Sequence, residues 1–555
     1  MIELDLRKDG KLSIENAKKI TAIQPGIQKE YTDFIGDLIS ANKVKDLQWL
    51  MQIACRNTYI SKIYDYMCRL SLLESLLKDG ENISCVYIDR PTIKYPIIEL
   101  LERYNSKTKI CIIECKENKK FSLLKNLIKN IYHCLNLWLW PFLIRNKSKP
   151  KKSVFLLETF LLKDSFDENL KFQDRYYSGL IDTIPGNLKD KTWYLATLSG
   201  FKYPWDWFKV FYQVAKSVDK IILKEHWLKP KDYFFAIQKS ITLPKTIDNV
   251  PNWRGLDISS IVKEENIEQR GSHSITQSIL TYLAFNRYKI SGINIEAIVD
   301  WFENQVIDRG LYLGIRKNFP GVYIKGYLGF IPEEYYVGIY PAEYEDKANM
   351  LPDELLVIGD IFIENIKKFN LQMKVSTAPA FRFKQVFSFK QNRNKNKNII
   401  LLALPMKPEE IEIIITLAAK VKLNKKYKFI IKIHPTSNIK KIKEIIPKSM
   451  NEVIEFSDLP LAEIFQETRL LITTASSAAL EAVACGVYVA IVGNRSGPTI
   501  NRLSGYIDES YWSTCYTAFE LENAISRQVV LEKIDINKYF HPINQVNVVK
   551  MMTFD

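Results

Sequence analysis

The feature that most constrains this chain is a run of alternating strand and helix patterns in its C-terminal half. Residues 399–404 read as a strand, 408–421 as a helix, 429–433 as a strand and 453–456 as a short strand. A helix at 460–467, a strand at 470–474, a helix at 477–485 and a strand at 487–492 complete the run. Short apolar strands that are buried on both faces need helices to cross back over the sheet. Near-strict alternation of this kind over about 100 residues predicts a Rossmann-like parallel sheet.

Upstream the alternation is looser. Residues 1–80 read as helical, with apolar positions three and four apart and Lys78-Asp79-Gly80 as a stop. A strand at 84–88, a helix at 97–104 and a strand at 109–114 make a β-α-β unit. Further strands are expected at 154–157, 193–198, 220–223, 297–301, 322–327 and 355–358. The run from Gln391 to Asn398 holds no apolar residue and reads as a surface loop opening a second domain. A chain of 555 residues exceeds one hydrophobic core. The expected organisation is a helical region at 1–80, a Rossmann-like domain at 81–380 with a basic and aromatic insertion at 118–152, a second Rossmann-like domain at 381–530, and a tail at 531–555 that returns to the first.

Lys and Arg number 78 against 63 Asp and Glu. The surplus of 15 points to an anionic partner, or to a lysine-rich habit spread along the chain, as at Lys43, Lys45, Lys119 and Lys120. Dispersed basic residues without a recognised DNA- or RNA-binding motif argue against nucleic acid as a partner. Of the eight cysteines only Cys111 and Cys115 lie close together, and most sit in apolar runs, which predicts free buried thiols. The first residues carry no apolar secretory core, so a cytoplasmic setting is expected. Residues 131–144 are apolar and hold Trp138 and Trp140, with Arg145, Lys147, Lys149, Lys151 and Lys152 just beyond. Fourteen residues are too few to span a bilayer as a helix. The segment suits either an interfacial helix on anionic lipid, from 131 to 152, or a buried helix followed by a solvated basic loop.

The residues best placed for chemistry sit where the C-terminal strands end. Lys432-Ile433-His434-Pro435 closes one strand, and Thr474, Ser476 and Ser477 follow another, opening into an Ala-rich helix. Both lie at the carboxyl edge of a parallel sheet, where such sheets bind ligands. Hydroxyls and unpaired amides at a helix start suit a phosphate, and His434 has a donor for the same group, with Pro435 stiffening the exit. Glu481, one turn into the helix, is placed for ribose hydroxyls. Each has a plainer alternative: an N-cap serine, a structural histidine, a carboxylate complementing the helix dipole.

Across about 100 residues these segments resemble the nucleotide-sugar-binding half of GT-B glycosyltransferases. The His-Pro and Ser-Ser pairs are similar to the donor-site motifs of bacterial sialyltransferases, polysialyltransferases and Kdo transferases; CDP-glycerol transferases carry a similar pair. The resemblance implies an α/β fold of two Rossmann-like domains facing a cleft, with an N-terminal helical extension. It implies that His434, Ser476 and Ser477 hold the nucleotide phosphate of a CMP-activated acidic sugar, and Lys432, Pro435, Thr474 and Glu481, beside them at the strand ends, complete the expected nucleotide-binding set. A CDP-glycerol or UDP-sugar donor and a non-catalytic assembly role stay open. In the N-terminal half, Trp301-Phe302-Glu303-Asn304-Gln305 with Asp308, Arg316 and Tyr327 resembles a Glu-Asn-Gln region of surface-carbohydrate biosynthesis proteins. That likeness implies Glu303 as a catalytic base beside His434, with Asn304, Gln305, Asp308, Arg316 and Tyr327 lining the cleft for a glycan or lipid-linked acceptor. The alternative for Glu303 is a carboxylate paired with Arg309 or Arg316. With no carboxylate cluster in the sequence, no cofactor is expected and activity is expected to be metal-independent.

Overall fold

A computed structural model describes residues 2–113, 122–144, 149–150, 153–389, 397–422, 427–434, 437–450, 453–527 and 534–554. Its strands fall into three sheets, and among the described residues every pairing between neighbouring strands is parallel. The second sheet is formed by β4 (Val154–Leu161), β5 (Thr192–Leu198), β6 (Ile221–Ile222), β7 (Ile295–Trp301), β8 (Tyr323–Leu328), β9 (Glu354–Val357) and β10 (Val375–Thr377). The third is formed by β11 (Ile399–Ala403), β12 (Lys428–Lys432), β13 (Ile454–Phe456), β14 (Thr468–Thr473), β15 (Tyr488–Val492) and β16 (Trp512–Cys515).

Both sheets are doubly wound. The second runs β10-β9-β8-β7-β4-β5-β6 and the third β13-β12-β11-β14-β15-β16. In each, the chain starts near the middle, lays two strands to one side and then crosses back to lay the rest on the other. That is the Rossmann strand order, carried one strand further in the second sheet. The reversal puts a switch point between β4 and β7 in one sheet and between β11 and β14 in the other. The fold is therefore of the two-Rossmann α/β class that the resemblance implies.

The N-terminal segment departs from expectation. Helices Ile14–Ala41 and Ile63–Lys78 form, but β1 (Ile2–Asp5) is a strand, so residues 1–80 are not all helical. It pairs with β2 (Ile83–Ile88), which pairs with β3 (Lys109–Ile112), and these three make a sheet of their own. The expected β-α-β unit at 84–114 exists but does not join the larger sheet. Apolar runs reveal that a strand is buried and leave open which neighbours bury it. This unit holds both Rossmann units. Arg56 pairs with Glu345 at 2.8 Å on one side, while on the other Arg69 donates to the Ser496 carbonyl at 2.6 Å and Leu12 exchanges hydrogen bonds with Arg495.

Three further segments bear on the site. The C-terminal residues lie against the second sheet: His541 and Ala380 share a hydrogen bond, and Lys325 Nζ donates to the Thr553 carbonyl at 2.6 Å. Among the described residues the insertion contains one helix, Ser122–Leu143, longer than the apolar run alone indicated. Among the described residues no helix is long and apolar enough to cross a membrane. Lys119, Lys120, Arg145, Lys147, Lys151, Lys152 and the polar run from Gln391 to Asn396 lie outside the described residues, as does Cys115, while the other seven cysteines are free.

Candidate functional site

At the third sheet's switch point, Thr473 Oγ1 donates to the Ala403 carbonyl at 2.9 Å and so ties the ends of β14 and β11. Thr474 Oγ1 donates to Glu410 Oε2 at 2.6 Å. The Ser476 amide bonds the Thr474 carbonyl, and its Oγ accepts from the Ala478 amide at 3.2 Å, which folds 474–478 into a tight turn. Ser477 stands at the N-cap with helical backbone angles and no capping bond from its side chain. The helix that follows is Ala478–Ala484, only 7 residues. Two turns of helix carry little summed dipole, so an anion here would be held by hydroxyls and loop amides more than by the helix. Lys432 ends β12, His434 is exposed two residues on, and Pro435 lies outside the described residues.

The facing half is built at the end of β7. Asn304 turns the chain with φ 54, in the left-handed region that asparagine tolerates, and its Nδ2 donates to the Gly338 carbonyl at 2.7 Å. Asp308 Oδ2 accepts from the amides of Glu303 and Gln305, each at 3.0 Å, capping the helix Val306–Asn318 and fixing the Glu303 loop. Trp301 Nε1 donates to Glu303 Oε1 at 2.9 Å, Gln305 Nε2 donates to Oε2, and Tyr336 Oη donates to the Glu303 carbonyl. Burial raises the Glu303 pKa against the pull of those two donors and of Arg382. Neither alternative partner is used, since Arg309 pairs with Glu345 and Arg316 with Asp353 at 2.8 Å.

Two expected cleft residues are corrected. Arg316 stands in the last turn of its helix, which has run back toward the amino-terminal edge of the sheet, so it is remote from the Glu303 loop. Tyr327 is fully buried inside β8 and donates to the Pro379 carbonyl at 2.6 Å. Asp308 and Asn304 are buried as well, and their contacts hold the loop rather than face an open groove. Gln305, half-buried, stays beside Glu303.

The residues that join the halves were not singled out from the sequence. The stretch Phe381–Phe383, just before the third sheet begins, carries Arg382 to within 5.8 Å of the Trp301 ring centre. The charge of Arg382 acts to lower the pKa of Glu303, His434 and Glu481 alike. Gln385, three residues on, donates to Glu481 Oε2 at 3.0 Å. Arg502 spans the same junction. Its Nε donates to the Ala475 carbonyl at 2.8 Å, one terminal nitrogen to the Ile331 carbonyl at 2.7 Å, and the other pairs with buried Glu333 at 2.6 Å. The loops beyond β7 and β8 thus meet the loop beyond β14. The one sequence signal for Arg382 was a cation set between two phenylalanines at a domain boundary.

The charges are tuned by this enclosure. Burial pushes the Glu481 carboxyl up to about 7, opposed by Gln385 and Arg382. Desolvation and then the Arg382 charge lower the His434 pKa. Arg382 is exposed to solvent. A guanidinium, an imidazole and serine hydroxyls are groups that can receive a phosphate, and a partly buried carboxylate can take a proton.

No protein-family model matches the sequence, and no curated protein matches it. Similar solved structures include Acinetobacter baumannii MurG, 10% identical, covering 72% of this chain and 99% of that one with a TM-score of 0.41. The apo form of the lipopolysaccharide outer core galactosyltransferase WaaB is 12% identical over 72% of this chain and 100% of its own, at 0.40. The co-structure of S. aureus MnaA with UDP is 9% identical over 72% and 95%, also at 0.40. Identity at this level leaves function to be read from this chain's own residues.

Proposed function

We propose that this chain is a glycosyltransferase that binds a nucleotide-activated sugar at the carboxyl edge of the third sheet and passes the sugar to an acceptor lying along the second. The observation that carries the reading is the meeting of both carboxyl edges, where Arg382 lies over Trp301, Gln385 three residues on donates to Glu481, and Arg502 bonds the Ala475 and Ile331 carbonyls. Open α/β sheets bind ligands there, and two such edges facing each other bring donor and acceptor together.

In this reading Arg382, His434 and the hydroxyls of Ser476 and Ser477 hold the donor phosphate, and Glu481 meets the ribose. Glu303 removes the proton of the acceptor hydroxyl as that oxygen bonds the anomeric carbon and the sugar–phosphate bond breaks toward the nucleotide. Asp308, Trp301 and Gln305 fix the carboxylate for that step. The His-Pro and Ser-Ser pairs favour a CMP-activated acidic sugar as donor, and a glycan or lipid-linked saccharide as acceptor. Calorimetric titration with CMP, CDP, UDP and GDP tests it: CMP is expected to bind most tightly. Tighter UDP or CDP binding would replace the donor assignment, and the absence of binding by all four would remove the transferase reading. Activity is expected to survive EDTA.

A further inference from the structure

The helix Ser122–Leu143 packs one side against the body of the protein through Asn130, Cys134, Leu137 and Pro141. Among the described residues nothing covers a second side. Leu124, Ile128, Ile131, Leu135, Trp138 and Phe142 are all exposed, Ile128 at 62% and Phe142 at 65%. Their spacing of three and four residues places them within about 100° of one another around the axis, an unbroken apolar stripe roughly 27 Å long. Beside it runs the helix Pro204–Lys216, joined through an edge contact of Trp140 with Phe208 at 5.5 Å and a bond from Tyr132 Oη to the Lys202 carbonyl. That helix leaves Trp205, Phe208 and Tyr212 exposed in turn, Trp205 at 63%.

We infer that this face docks on an anionic lipid surface. Charge complementarity selects that occupant. The first helix holds Lys125 and Lys129 and no acidic residue, and both lysines are exposed on the flank of the stripe. The second helix and the residues leading into it add exposed Lys202, Lys209 and Lys216, while its one acid, Asp206, is already paired with Lys163 at 2.5 Å. Lysine beside Trp and Tyr is the composition of a membrane interface, whereas the cores of protein–protein contacts are depleted in lysine. Since no described helix can cross a bilayer, the helix lies in the plane with its stripe among the acyl chains and its lysines at the headgroups. The surface is thus set by residues 124–142 and 202–216. Capture at a membrane would bring a lipid-linked acceptor to the cleft, but the docking itself does not depend on the transferase reading.

Flotation of the full chain with vesicles of phosphatidylcholine, with and without phosphatidylglycerol, tests the inference. The expected result is at least about tenfold more protein bound when phosphatidylglycerol is present, falling with added salt. The variant Ile128→Ser, Leu135→Ser, Phe142→Ser should lose binding to both by a similar factor with an unchanged melting temperature, these side chains being exposed. Lys125→Glu with Lys129→Glu should abolish the preference for the anionic lipid. Equal partitioning of the wild type and the triple serine variant would overturn the inference, as would a dimer in solution that the same variant dissociates. CMP titration on the same samples keeps the two readings apart: vesicle binding without nucleotide binding sinks only the transferase proposal, and the converse sinks only this one.

Discussion

At Glu303 the neighbours decide what the carboxylate can do. Burial makes it a stronger base than a solvated glutamate, while the Trp301 and Gln305 donors keep it aimed. Glu303→Gln is expected to lower transfer by about a hundredfold or more with nucleotide affinity unchanged, read by comparing initial rates with calorimetry. Arg382 is exposed, so Arg382→Ala should fold normally and weaken nucleotide binding by about 2 kcal/mol, a factor of about 30. Unchanged affinity would take Arg382 out of the phosphate site. His434, Ser476 and Ser477 stand out in the sequence because each follows a legible strand. Arg382 does not, because it lies in a short segment without periodicity whose importance comes from Trp301, Glu481 and His434, residues far from it along the chain.

Among the elements, the interior of β4 carries Glu158, almost fully buried. Burial, aided by the Asp308 charge, pushes its carboxyl from 4.5 up to about 8. A carboxyl raised in this way favours the folded state while protonated. Stability is full below the ordinary value, falls as pH rises through about 8 and then levels off. Thermal melts from about pH 5 to about pH 9 should show this loss, and Glu158→Gln should lessen it, gaining roughly 2–4 kcal/mol at the alkaline end. The N-terminal sheet is fastened by a different device. Glu345 lies between Arg56 and Arg309, all three with no exposed side chain. Glu345→Ala would strand two buried guanidinium groups, and a loss of about 3–5 kcal/mol is expected in denaturant unfolding. Strand periodicity located most of β4 to β9 and β11 to β15. It missed β1, β10 and β16, in which only one or two residues are apolar, whereas the equally short β6 and β13 lie within apolar runs.

For the whole molecule, Arg502 is the tie between the two Rossmann units near the groove. Removing it leaves Glu333 buried without its cation and frees the Ala475 and Ile331 carbonyls. In Arg502→Ala, amide hydrogen exchange should quicken at least tenfold in 331–337 and 474–478, with the central strands unchanged. Faster exchange throughout would instead mean that the residue supports the global fold. The sequence by itself determined the parallel α/β class and which residues stand at the ends of β7, β12 and β14, because burial on both faces and the return through helices are written locally, in period and length. Only the tertiary structure decided that β1 to β3 form a separate sheet, that Tyr327 is buried and Arg316 stands away from Glu303, and that Arg382 comes to lie over Trp301. Those outcomes depend on which distant segments pack together, and local periodicity carries no record of that choice.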